Sequence, residues 1–198
     1  GYMVPPGDYS VAMYKYQGGS LAQIGAEQGL QLEPLNIASI PAENIDALNE
    51  FNSKVADLSR ALSAADAHRG ELEKRVPFLE QAVLNVVPIQ EAWLMELSAI
   101  RAELREVNQA LNGDGLLVMY EGQPRMSLKG KTDLITSSLW VTTSGSTGTF
   151  ERAYNDANAG FGDVLAALHR LDARVRSLEN ELEKAGAPYT PGRLPSWQ

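Results

Sequence analysis

Between Thr149 and Ala185 apolar residues recur at steps of three and four without a gap: Tyr154, Ala157, Phe161, Val164, Leu168, Leu171, Val175, Leu178, Leu182 and Ala185. At 3.6 residues per turn this spacing gathers them into one stripe on a helix about ten turns long. A helix of that kind owes its stability to other apolar faces packed on the stripe. The chain must therefore supply partner helices or find them in another molecule.

It supplies them. Leu48, Phe51, Val55, Leu58, Leu62, Ala65, Leu72, Val76, Leu79, Val83 and Val86 keep one phase. They cover about 40 residues, or roughly 60 Å of helix. Ser39 or Pro41 can open this helix, and Glu43 suits its first turn. Arg69 interrupts the stripe. Gly70 weakens the helix, and Pro77 removes a ladder hydrogen bond. Either the helix kinks near 73–77, or one helix ends there and another begins with Pro77 at its first position. The unbroken phase favours a single kinked helix.

Pro88 marks the next break. A second helix is expected over 89–113, with Trp93, Leu97, Ile100, Leu104, Val107 and Leu111 inward and Gly113 terminating it. The short connection implies an antiparallel helical hairpin. Residues 113–126 read as irregular, with "LLVMY" (116–120) tucked against the bundle. A short third helix is expected over 127–143, with Leu128, Leu134, Ile135, Leu139 and Trp140 inward. "SGSTG" (144–148) is a turn, and Thr147 or Thr149 caps the last helix. Gly186 fits the residue after a helix end, followed by Pro188. The tail 187–198, with three prolines, Tyr189 and Trp197, is expected to fold back on the bundle.

Residues 1–35 read as β. "DYSVAMYKY" (8–16) alternates as a strand does, Gly18 and Gly19 make a turn, and "LAQIG" (21–25) and "LQLEPL" (30–35) can pair back. Strands this few are marginal alone, so the segment reads as the end of a sandwich-like domain or a hairpin packed on the helices. The expected fold is mainly α: an antiparallel three- to four-helix bundle over 36–198, with a short N-terminal β hairpin in 1–35. Gly1 stands directly before strand-like sequence, which reads as a piece of a longer protein whose targeting signal would lie outside it.

Composition narrows the chemistry. A net charge of −8 argues against nucleic acid as a partner, because phosphate binding needs a concentrated basic face. Without cysteine there is no thiol nucleophile and no zinc–thiolate site. No apolar run is long enough to span a membrane. His68 and His169 stand about 100 positions apart, without the Glu-x-x-His pairs of a di-iron bundle, and no metal site is expected. Acids such as Glu71, Glu73, Glu80, Glu103, Glu106, Glu179, Glu181 and Glu183 read as solvated faces of amphipathic helices. No Gly-x-Ser-x-Gly elbow, phosphate loop or dinucleotide fingerprint is present. No catalytic, cofactor-binding or metal-ligating residue is assigned, and no cofactor is called for. Trp140, Tyr189, Arg193 and Trp197 are the candidate contact residues.

Four stretches together carry a family likeness: "VPPGDYSVAMYKY" (4–16), "VNQALNG" (107–113), "SSLWVTTSGSTGTFERAY" (137–154) and "GAPYTPGRLPSW" (186–197). The chain resembles the C-terminal region of bacterial sortilin-like (VPS10-type) BNR-repeat β-propeller proteins, often labelled glycosyl hydrolases. The resemblance implies a region that follows a propeller, a periplasmic or extracellular setting, and the propeller as partner. The propeller's own functional residues would lie outside this sequence, so none is carried over. Three functions follow as expectations. The first is a non-catalytic accessory or interaction domain. The second is one wall of a glycosyl hydrolase cleft, lined by carboxylates and aromatics near Trp140, Tyr189 and Trp197. The third is an oligomerising helical module, which would form a homodimer through an open seam.

Overall fold

The computed structural model describes residues 2–35, 37–38, 40–121 and 125–195. Two strands come first, β1 (Gly7–Gln17) and β2 (Ser20–Leu32). The helices α1 (Ile45–Leu84), α2 (Glu91–Asn112), α3 (Gly115–Glu121), α4 (Leu128–Leu139) and α5 (Gly148–Lys184) follow. The architecture is a mainly α bundle with an N-terminal antiparallel hairpin.

Cross-helix contacts fix the directions. Arg101 pairs with Glu80 and Asn112 with Asp66, so α2 runs antiparallel to α1. Arg174 reaches Glu96 and Glu103, and Trp93 reaches Glu181, so α2 is also antiparallel to α5. His68 lies beside Asp172 and Arg75 pairs with Glu179, so α1 and α5 run parallel. α4 then takes up where α2 stops. Lys129 meets Asp66, Lys131 meets Asp156, and Ile135 and Leu139 pack with Leu48 and Val55. The bundle is thus three helices in cross-section. α1 and α5 are full-length rods, and α2 and α4 lie end to end as the third. The stripes of α1, α2 and α5 meet in one continuous core, with Leu62, Leu72, Ile100, Leu111 and Leu171 buried at its centre.

Several element ends differ from the sequence reading. α1 starts at Ile45, past Pro41, because Asn44 keeps an extended backbone and its Oδ1 accepts from Ala47 N at 3.0 Å. α1 then runs through Pro77 as one helix, so the alternative of two separate helices is set aside. Ser127 caps α4 by accepting from Gly130 N at 3.1 Å, and that helix stops at Leu139, four residues short of the expected end. Thr147 is the N-cap of α5, but its hydroxyl makes no cap bond. Ala185 is exposed, so the α5 stripe ends at Leu182. Beyond it Gly186 adopts φ +83°. Gly186 N donates to Glu183 O at 3.0 Å and Ala187 N to Leu182 O at 2.9 Å, a Schellman closure.

Two placements are corrected outright. Residues 116–120 lie in α3, which packs on no other helix among the described residues, and Leu117, Met119 (81%) and Tyr120 (84%) are exposed rather than tucked against the bundle. Seven residues are too few to carry a stripe of their own. Nor does the hairpin pack on the helices: neither strand lies against one.

The hairpin itself is well specified. Gly18 (φ +59°) and Gly19 (φ +82°) form a two-residue turn with both central φ positive, the form that suits the twist of paired strands. "LAQIG" and "LQLEPL" join into one long β2. The register shifts between Val11 and Met13, where three β2 residues oppose one on β1 and Gly25 takes φ +76°.

Candidate functional site

Three places on the molecule hold polar or apolar groups that helix packing does not account for. The first is the open face of the hairpin. Strand residues alternate between faces, so the register places Tyr9 beside Leu30, Met13 beside Ile24 and Gly7 beside Leu32, with Val11 between. These form one apolar column. Met13 is 65% exposed and Val11 56%, and among the described residues no helix packs along the column. The opposite face carries Tyr14, Tyr16 and Leu21, also exposed.

The second place is where the hairpin base meets the bundle. Here a cavity of about 700 Å³ lies between the N-terminal segment, the linker after β2, the start of α1 and the α4–α5 connection. Tyr2 packs at a tilt against Trp140 with ring centroids 5.9 Å apart, and Ala42 N donates to Thr143 O at 3.0 Å, so both covering segments are tethered. Its walls are mostly aliphatic (Val4, Leu32, Ile37, Ile45, Leu48 and Leu139 among them), with Asn49 and the Thr142–Ser144 stretch at the polar side; among the described residues Glu33 is its one charged side chain and no aromatic ring lines it. Asn52 also lines it, 5% exposed, and its Oδ1 is buried without a hydrogen-bond partner. Trp140 Nε1, at the same end of the bundle, is buried and unpartnered too.

The third place is the C-terminal clasp. Glu179 is 1% exposed, a correction to its reading as a solvated acid. Arg75 binds both of its oxygens, and Thr190 Oγ1 donates to Oε1 at 2.9 Å. Arg193 Nε donates to Glu183 Oε1 at 2.6 Å. That hydrogen bond holds the Glu183 carboxyl below its ordinary range. The tail is therefore folded back along α5 as far as Arg193, with Ala187 and Thr190 buried.

The three candidate contact residues that are described do not converge. Trp140 is half-buried at the N-terminal end of α5, packed with Phe150 and Tyr154. Arg193 is engaged with Glu183 and Asn180 near the other end, about 40 Å away along the helix. Tyr189 lies on the same tail, 47% exposed. Trp197 lies outside the described residues. No group of three or more His, Asp or Glu side chains able to hold a metal is found among the described residues.

Asp66 ties the seam where α2 gives way to α4. It accepts from Arg69 Nε at 3.0 Å, Asn112 Nδ2 at 3.0 Å and Lys129 Nζ at 2.9 Å. Burial pushes its carboxyl up, but the hydrogen bonds from Lys129, Asn112 and Arg69 outweigh this and hold it at about 2. This is a structural clasp of three helices, α1, α2 and α4.

Asn52 and Glu179 each carried a signal in the sequence that the reading of the stripes missed. Each falls in phase with its stripe: Leu48, Asn52, Val55 on α1, and Val175, Glu179, Leu182 on α5. A polar residue at a core position signals a buried network or an open site. Asp66 carried no such signal, because its partners come from distant parts of the chain.

The chain matches no protein-family model, and no curated protein or solved structure resembling it was found.

Proposed function

We propose that this chain is a non-catalytic interaction domain, of the kind that follows the propeller in exported sortilin-like proteins. The observation that carries the reading is the apolar column Tyr9, Val11, Met13, Ile24, Leu30 and Leu32 on a hairpin along which, among the described residues, no helix packs. A half-apolar sheet face is built to be covered, and contiguous exposed apolar surface marks an interaction site. The bundle offers a rigid mount for it: the stripes of α1, α2 and α5 are buried against each other, leaving those seams closed. The cavity beside the hairpin holds one carboxylate and no ring, which favours docking over a glycoside-processing cleft. The partner is the parent's propeller.

The test is calorimetric titration of this chain with a separately produced sortilin-like propeller. Binding that disappears when Val11, Met13 and Ile24 are all replaced by Lys, with helical content unchanged, supports the reading. No binding, or binding indifferent to the triple variant, sinks it. Concentration-dependent dimerisation lost in the same variant would instead make a second copy the partner.

A further inference from the structure

We infer that the cavity at the hairpin base is a binding site for a small, uncharged aliphatic molecule carrying a hydroxyl group. Volume is the first argument. At about 700 Å³ the space falls within the range of small-molecule pockets, which are mostly apolar with a few placed polar groups.

The lining sets the ligand's chemistry. Ile45, Leu48 and Leu139 form a floor on α1 and α4, and Val4, Leu32 and Ile37 close over it. With no aromatic side chain there is nothing for a planar ring to stack on. With no Lys, Arg or His there is nothing to neutralise an anion, and Glu33 repels one. The body of the ligand is therefore an aliphatic chain.

Asn52 sets the polar end. Its side chain is nine-tenths buried, borders the cavity, and leaves Oδ1 without a partner. A buried amide oxygen in that state carries an uncompensated desolvation cost until it finds one. A half-turn about χ2 brings either end of the amide to the ligand. A hydroxyl, which both donates and accepts, satisfies Asn52 in either setting. This site shares Leu32 with the hairpin column, but its floor of Ile45, Leu48 and Leu139 and its polar end at Asn52 lie on the helices.

Decan-1-ol is the probe, titrated calorimetrically into the intact chain below its solubility limit, with decanoate at pH 8 as the charged contrast. Decan-1-ol binds one per chain and raises the melting temperature, and decanoate binds at least tenfold more weakly. Asn52→Leu, close in shape, lowers decan-1-ol affinity about tenfold. Val141→Asp, at an exposed rim position where folding is not at stake, lowers it further. The inference is overturned by an absence of saturable decan-1-ol binding, by equal affinity for decanoate, or by affinity unchanged in both variants. It is also overturned if a protein partner covers the cavity while decan-1-ol shows no affinity for it.

Discussion

Gly70 and Gly162 sit in the interiors of α1 and α5, and a Cβ at either would meet nothing within 4 Å. Each therefore weakens its helix without serving a contact, unlike Gly160, where a Cβ would come within 2.9 Å of Leu128 Cδ2. Gly70→Ala and Gly162→Ala should each add about 0.5–1 kcal/mol, read as a higher urea midpoint at unchanged slope. Asp66 makes a prediction about pH. Folding lowers its pKa from the ordinary 3.8 to about 2, so between those values the unfolded chain binds more protons than the folded one. Its contribution is complete above the unfolded value and is lost as pH falls through the folded one. Asp66→Asn should cost about 1–2 kcal/mol at neutral pH and flatten the loss of stability between pH 4 and 2, measured by urea unfolding across that range.

The element that most departs from its sequence reading is the end of α5 with its tail. Glu179 looked like a surface acid, yet it is sealed beneath Arg75 and Thr190. Removing one partner of a buried pair leaves an uncompensated charge, so Arg75→Ala should cost about 3 kcal/mol. Arg75→Met combined with Glu179→Leu should cost far less, because no charge is then stranded. Thermal melting of the single and double variants distinguishes the two. Deleting 187–198 removes Thr190 and Arg193 together and should lower the melting temperature by several degrees; an unchanged temperature would mean the tail adds nothing. The stripes made α1, α2 and α5 readable because period 3.6 reports burial directly. What they could not report was distant partnership. Nothing near Asp66 in the sequence names Lys129, and nothing near Glu179 names Arg75. The cavity was equally hidden, because it forms only where the linker, the N-terminal segment and two helices come together. Asn52 was its one local sign. The expected gathering of Trp140 with Tyr189 failed for a geometric reason: a long straight helix holds its two ends apart.

At the scale of the whole molecule, the chain divides into a part that satisfies itself and a part that does not. In the bundle, α1 and α5 run parallel and α2 and α4 share the third position, so every long stripe is covered. The hairpin has its ladder of hydrogen bonds, a turn suited to its twist and a consistent register, yet its apolar column faces no protein. An isolated two-stranded hairpin is marginal in water. The proposed interaction role is the completion of that unfinished face. Native-state hydrogen exchange on the isolated chain tests this division most directly. The account predicts that amides around Leu62, Leu72, Ile100 and Leu171 exchange only with global unfolding, while those of β1 and β2 exchange orders of magnitude faster. Hairpin amides as protected as the bundle core would contradict it, since the face held open for a partner would already be covered.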